Sequence, residues 1–252
     1  RPSSDIDLLL PDRTDAERAA CAAQPLGYAL AFHPASSNFE MVARRVVDGV
    51  SHSELDLHCR LLNSAAYADI FSFDELWQES IALPALGEGL RGLSPRHALA
   101  HACLNRALDM QIGVPDQLKL LYDIHLMVER MHEVDWGDVL AMAQRKAING
   151  ICLRSVIDAC THFHSDVPAN VLEALQRNAD AESIDWHRLD DWRYMQWQNM
   201  KALPTTGARL RWLWQRLVPS SSHLRHMYGE GSWLGLMGHR LWRGVVRLHA
   251  RR

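Results

Sequence analysis

Paired cysteines are missing from this sequence. The five cysteines are an odd number, stand singly and include no Cys-x-x-Cys pair: Cys21, Cys59, Cys103, Cys152 and Cys160. This distribution argues against both a disulfide framework and a zinc ribbon, and it is typical of proteins from the reducing cytoplasm. We expect most of these thiols to be small buried apolar groups.

Long apolar segments and several catalytic motifs are missing too. No run of about 18 apolar residues occurs, so we expect no transmembrane helix, and we expect no secretion leader. The absence of a Walker loop and of Gly-x-Ser-x-Gly excludes a P-loop enzyme and an α/β-hydrolase. None of the fourteen histidines belongs to a His-Glu-x-x-His motif, which argues against a zinc protease.

Acidic residues are scarce near one end of the sequence. Residues 209–252 contain nine arginines and a single acid, Glu230, for a net charge of +8. Because the whole chain has a net charge of −3, residues 1–208 have −11. Hydrophobic residues make up 48%, enough for a sizeable core. The composition therefore predicts a globular acidic body with a basic, Trp-rich tail.

Two acids flank one aliphatic residue near the start, in Asp5-Ile6-Asp7, and a leucine triplet follows. In an extended strand, side chains at i and i+2 point the same way, so Asp5 and Asp7 would share one face. Two ionised carboxylates about 4 Å apart repel by about 4 kcal/mol at an effective dielectric of about 20. A divalent cation between them would relieve this repulsion. The alternative is a strand start whose acids are solvated.

A second acidic strand is predicted after a hairpin turn at Asp48-Gly49. Residues 53–61 alternate, with leucines and a cysteine on one face and four polar residues on the other: Glu54, Asp56, His58 and Arg60. If this strand lies near the first, Asp56 or Glu54 can complete a three-carboxylate cage with Asp5 and Asp7. An ordinary half-solvated strand is the alternative.

From Asp74 onward the periodicity predicts helices, including 96–110, 117–132, a helix ending at Lys146, and 148–163. Strands followed by helices indicate an α+β protein. On the second of these helices the expected core stripe consists of Leu118, Leu121, Tyr122 and either His125 or Leu126. Lys119 and Asp123 lie four residues apart beside it. The alternative for that pair is a surface ion pair. We expect five tryptophans of the later region to be packing anchors: Trp186, Trp192, Trp197, Trp212 and Trp214.

Taken together, residues 1–10 (RPSSDIDLLL) and 53–61 (SELDLHCRL) resemble the metal-binding strands of the nucleotidyltransferase superfamily typified by polymerase β. More narrowly, they resemble an uncharacterised nucleotidyltransferase family often associated with bacterial exopolysaccharide gene clusters. The resemblance continues through 93–95 (LSP), 118–124 (LKLLYDI), 134–136 (VDW) and 217–225 (LVPSSSHLR), and so extends over nearly the whole chain.

The resemblance implies a small mixed β-sheet core, over 1–92, followed by a mainly helical C-terminal half of 93–208 and the tail of 209–252. It implies that Asp5, Asp7 and Asp56 hold two Mg²⁺ ions for transfer of a nucleotidyl group from an NTP to a hydroxyl or phosphate acceptor, in polysaccharide biosynthesis. Lys119 would bind phosphate with Asp123 orienting it, and His58 would support the metal ligands.

Two departures from the family keep an alternative open. The family has a Gly-Ser or Gly-Gly turn that grips the triphosphate ahead of the Asp-x-Asp strand, and none precedes Asp5 in this sequence. Asn105 also stands where we expect the family to have a histidine. We therefore expect either that the native protein has this turn upstream, or that it is a catalytically degenerate protein that binds a nucleotide or a partner.

The basic tail, with arginines interleaved among tryptophans, allows three interpretations. It fits packing against the acidic body, contact with a membrane surface, and nucleic-acid binding. We expect a cytoplasmic protein with weak peripheral contact at the inner membrane through 209–252, and we do not expect nucleic acid to be a partner.

Overall fold

The computed structural model describes residues 5–32, 39–111 and 117–250. Four strands form the main sheet: β1 (Asp5–Leu9), β2 (Tyr28–Phe32), β3 (Glu40–Val47) and β4 (Val50–His58). Their order is β1-β4-β3-β2, with β1 and β4 parallel and the other neighbours antiparallel, so the sheet is mixed. The α+β prediction is therefore confirmed.

The predicted hairpin is present between β3 and β4. Asp48 and Gly49 both have positive φ, 52° and 77°, which is the backbone conformation that a tight two-residue hairpin turn requires. The register then shifts between Arg45 and Val46: Val46 pairs with Ser51 but Arg45 pairs with Ser53. His52 is thus the extra residue of a β-bulge, and the bulge changes which residues of the two strands face each other.

Helix α1 (Arg13–Ala23) covers one face of the sheet. It begins at Asp12, whose side chain accepts a hydrogen bond from the Asp15 amide, a typical N-cap. Its Ala16 is buried with Met41 of β3 and Leu57 of β4, and this small core binds the helix to the strands. Because side chains alternate along a strand, the acidic residues of β1 and β4 lie on the opposite face.

A short connection leads from the sheet to the helical part. It contains α2 (Phe73–Gln78) and a two-residue ladder between β5 (Ile81–Ala82) and β6 (Arg91–Gly92). The prediction of helix from Asp74 missed this ladder, because two residues per strand are too few for a periodicity.

The glycine spacing of the loop, Gly87-x-Gly89-x-x-Gly92, resembles a dinucleotide fingerprint. It lies within an antiparallel hairpin and not between a strand and a helix, as that fingerprint requires.

Six helices surround the main hydrophobic core: α3 (Pro95–Gln111), α4 (Leu118–Val128), α5 (Glu133–Lys146), α6 (Asn149–Phe163), α7 (Ala169–Ala179) and α8 (Trp192–Ala202). The predicted stripe on α4 was wrong in part. Leu121 is buried, but Leu118 and Tyr122 are exposed, and the core face continues through Ile124 and Val128. Apolar residues occupy both sides of this helix, so spacing alone could not select the buried side.

The tryptophan prediction was also wrong in part. Trp212 is buried, whereas Trp192, Trp197 and Trp214 are exposed on outer faces of their helices. Trp186 is half-buried beside Gly150, where an added Cβ would lie 2.5 Å from the Trp186 Cβ.

The chain forms two compact units, of which the first ends at Ala202 and the second begins at Leu203. The second unit contains α9 (Thr206–Leu217), α10 (Ser221–Tyr228) and α11 (Trp233–Ala250). The predicted boundaries at residues 92 and 208 stay predictions. In the part of the chain that the structure describes, no helix is both long enough and apolar enough to cross a membrane.

Candidate active site

The two acidic strands, β1 and β4, are direct neighbours in the sheet. They pair in parallel with Asp5 opposite Glu54 and Asp7 opposite Asp56. Residues paired in this way direct their side chains to the same side, so four carboxylates share the sheet face that α1 leaves uncovered. The condition for a shared carboxylate cluster, that the strand of Asp56 lies beside the strand of Asp5 and Asp7, is met.

Strand β3 adds two charged residues to this face, and they have opposite effects. Arg44 pairs with Glu54, and their Nε and Oε1 atoms are 2.6 Å apart, so the charge of Arg44 compensates the charge of Glu54. Glu40 pairs with His58 in the ladder, accepts a hydrogen bond from the Asn63 side-chain amide, and raises the pKa of Asp56 through its charge. Asp56 rather than Glu54 is therefore the β4 carboxylate available for a ligand.

Asp56 is held in an unfavourable electrostatic position. Burial, and then the charges of Glu40, Asp7 and Asp5, raise the pKa of its carboxyl to about 6. Its Oδ1 atom is buried and has no hydrogen-bond partner among the described residues. A buried carboxylate oxygen that accepts no hydrogen bond and lies close to other acids is suited to coordinate a cation.

Asp7 and His58 form the best-defined contact of the site. The His58 Nε2 atom lies 3.1 Å from Asp7 Oδ1, and the imidazole is largely buried while Asp7 is mostly exposed. The hydrogen bond from His58 lowers the pKa of Asp7 against the opposing effect of burial, and the charges of His58 and His101 lower it further. Burial favours neutral His58, but the bond to Asp7 and the charges of nearby carboxylates outweigh it and raise the pKa of His58.

Helix α3 reaches this face through His101. Burial lowers the pKa of His101, while the charge of Asp7 acts in the opposite direction and that of His58 adds to the lowering. Sequence reasoning missed both His101 and Glu40. His101 lies one helical turn before Asn105, on the same side of α3.

Lys119 and Asp123 lie on α4. Lys119 is exposed. Burial raises the pKa of Asp109 on α3, and the positive charge of Lys119 opposes this with a smaller effect. Asp109 is eight residues beyond His101, or about 12 Å along the helix axis. The charges that act on Asp7 and Asp56 come instead from each other or from Glu40, Asp5, His58 and His101. The structure thus groups Asp5, Asp7, Asp56 and His58 on one face and places Lys119 and Asp123 farther along the helical part. The phosphate-binding role of Lys119 stays a prediction.

The acidic face is not a closed metal cage as it stands. Over residues 5–32, 39–111 and 117–250, no three His, Cys, Asp or Glu side chains are arranged to hold a metal ion. The hydrogen bond from His58 occupies one oxygen of Asp7. The donor set nevertheless suits a hard divalent cation, because its members are carboxylates and the Asp56 oxygen has no other partner among the described residues.

Comparison with known proteins identifies the family. The model of a family described as uncharacterised nucleotidyltransferase matches residues 1–159. This chain belongs to that family. The matched range of the nucleotidyltransferase includes the acidic sheet face and helices α3 to α5, and it ends inside α6. Searches of curated proteins and of solved structures found no match. The family supports a general nucleotidyltransferase role.

Proposed function

We propose that this nucleotidyltransferase moves a nucleotidyl group from an NTP to a hydroxyl or phosphate acceptor in a Mg²⁺-dependent reaction. The observation that supports this most is the state of Asp56, a carboxylate with a buried oxygen that accepts no hydrogen bond from the described residues and a pKa raised to about 6 by burial and by its acidic neighbours. A substrate that arrives as a magnesium–triphosphate complex would bring the missing positive charge.

Asp5, Asp7 and Asp56 are the residues that would hold two Mg²⁺ ions. Bound there, the ions would stabilise negative charge on the attacking and leaving oxygens of an in-line displacement. Glu40 strengthens the negative potential at Asp56. His58 donates to Asp7 and keeps that carboxylate ionised and oriented, a common arrangement beside metal ligands. Lys119 of α4 would contact a phosphate of the nucleotide, and Asp123 follows one turn later on the same helix.

The test compares Mg²⁺-dependent NTP turnover of the full chain with that of Asp5→Ala and Asp7→Ala. We expect turnover to be abolished in both variants while circular dichroism shows an intact fold, because both side chains are exposed and lie outside the hydrophobic core. The matched control is Asp190→Ala, which changes an exposed acid of the same unit outside the sheet. Wild-type turnover in either alanine variant would refute the assignment of these residues.

A protein that binds a nucleotide or a partner without turnover is the second candidate. The observation that favours it is the open arrangement of the acidic face, where Asp7 contacts His58 and the described ligands do not converge. A thermal-shift screen against the four NTPs, with and without Mg²⁺, separates the two. Stabilisation by one NTP without any product from candidate acceptors would support this binding role.

The acceptor in the proposed reaction is a saccharide or saccharide phosphate used in polysaccharide synthesis. Only the family resemblance supports this choice. Incubation of the protein with labelled NTP and a panel of sugars, sugar phosphates and proteins tests it directly. Label transfer to proteins but not to any saccharide would contradict it.

A further inference from the structure

The second compact unit exposes apolar side chains on α9 in a regular pattern. Four of them stand at positions i, i+3, i+4 and i+7 of the helix: Leu210, Leu213, Trp214 and Leu217. This spacing places them on one face. In most globular proteins that face is buried, but here all four are exposed, and Trp212 on the other side of the helix is the buried one. The apolar stripe of α9 therefore faces outward.

Helix α11 repeats the arrangement. Leu234, Leu241 and Trp242 lie at positions i, i+7 and i+8, on one side of the helix, and all three are exposed. Leu236, on the opposite side, is buried. The two tryptophans are 63% and 68% exposed, which is unusual for large aromatic side chains. Both long helices of the unit thus present leucine and tryptophan to the outside.

The unit does not need these side chains for its own fold. The Arg240 guanidinium donates to the Arg216 carbonyl oxygen at 2.6 Å, which joins α11 to the end of α9. The Trp233 indole donates to the Pro219 carbonyl oxygen at 3.0 Å. Leu224 of α10 is fully buried. The exposed stripes are therefore surplus to the interactions that hold the three helices together.

Charge identifies the kind of surface that fits the stripes. Nine arginines and one acid lie in 209–252. On α9, Arg209 and Arg211 fall on either side of the apolar stripe, about 40–60° from its edges at 100° per residue. Leucine and tryptophan flanked by arginines match the boundary between lipid acyl chains and anionic headgroups, because indoles prefer that boundary and guanidinium groups reach the phosphates.

We propose that the faces formed by Leu210, Leu213, Trp214 and Leu217 of α9 and by Leu234, Leu241 and Trp242 of α11 dock this protein on an anionic lipid surface. The helices lie in the interface and do not cross it. Binding depends on both burial of the apolar side chains and attraction between arginines and headgroups.

The test is co-sedimentation of the full chain with vesicles of phosphatidylcholine alone or mixed with phosphatidylglycerol. We expect binding to the mixed vesicles only, and weakening when NaCl rises from about 0.1 M to about 1 M, which shortens the Debye length from about 10 Å to about 3 Å. The double variant Trp214→Gln and Trp242→Gln should lower the partition coefficient at least about tenfold, since burial of one large apolar side chain already accounts for about that factor.

The matched control is Trp192→Gln with Trp197→Gln, which removes two exposed tryptophans from α8 in the other unit. This control should bind vesicles like the unchanged chain, and both double variants should keep the circular dichroism of the folded protein. Equal binding by the Trp214 and Trp242 variant would overturn the proposal. So would equal binding to uncharged vesicles, or a dimer that this variant dissociates while no vesicle binding occurs, because the stripes would then join two copies of the chain.

Discussion

The position of Asp56 predicts that its carboxylate destabilises the folded protein at neutral pH. Its pKa is about 6 in the folded state against 3.8 for an ordinary aspartate. Above pH 6 this difference in pKa lowers the free energy of unfolding by about 3 kcal/mol, at about 1.4 kcal/mol for each unit of pKa. Solvent reaches part of the carboxyl, so we reduce the expected penalty to about 1–1.5 kcal/mol. Asp56→Asn, which keeps the shape and removes the charge, should therefore stabilise the protein by that amount at pH 7.5.

The pH dependence of the stabilisation by Asp56→Asn distinguishes the loss of a repelled charge from a change of packing or hydrogen bonding. Below pH 3.8 both folded and unfolded states hold the proton of Asp56, so the penalty vanishes. As pH rises through 3.8 towards 6, the unfolded state ionises first and the folded protein loses stability. At pH 4.5 the gain from Asp56→Asn should be about a third of the gain at pH 7.5. Urea unfolding of the unchanged chain and of Asp56→Asn at the two pH values measures this gain in stability.

Asp190→Asn, at an exposed position away from the sheet, is the control and should change stability little at either pH. Two outcomes would refute the electrostatic reasoning. One is that Asp56→Asn destabilises the protein at pH 7.5. The other is a gain of equal size at both pH values, which would indicate a change of packing or hydrogen bonding and not the loss of a repelled charge.

Other predictions concern the contact beside the site and the helical core. His58→Ala removes the hydrogen bond that lowers the pKa of Asp7, so the Asp7 carboxyl should titrate at higher pH by NMR, and an unchanged titration would contradict the contact. Gly150→Ala should destabilise the fold by about 1–3 kcal/mol, because the new methyl group would overlap Trp186. Gly137→Ala, in a helix where nothing lies within 4 Å of the added methyl, should stabilise the fold by about 0.5–1 kcal/mol in the same urea assay.

Much of the sheet and of its acidic face could be predicted because strand patterns are local. Alternation with period two assigned Asp5 and Asp7 to one face and did the same for Asp56 and His58. The Asp48-Gly49 turn predicted the hairpin from two residues whose backbones accept positive φ. The pairing of β1 with β4 was a hypothesis about distant segments, and only the tertiary structure could confirm it.

The role of Glu40 shows why the rest of the site could not be predicted. Counting back from the turn with no irregularity would pair Glu40 with Leu57, on the apolar face of the sheet. The bulge at His52 moves the register by one residue, so Glu40 pairs with His58 and joins the acids. A shift of one residue reverses the face of every later side chain, and nothing in the alternation marks where a bulge occurs.

The outward orientation of the apolar stripe of α9 could not be predicted from the sequence either. Its spacing identifies an amphipathic helix, but the same spacing would serve a buried face equally well. The sequence by itself determined the α+β class, the hairpin, the acidic strand faces and the basic tail, because each depends on periodicity or composition within a short segment. Only the tertiary structure decided that Glu40 and His101 approach the carboxylates and that Leu210 and Trp214 face outward. These depend on register and on helix packing, which are set by contacts between residues far apart in the chain.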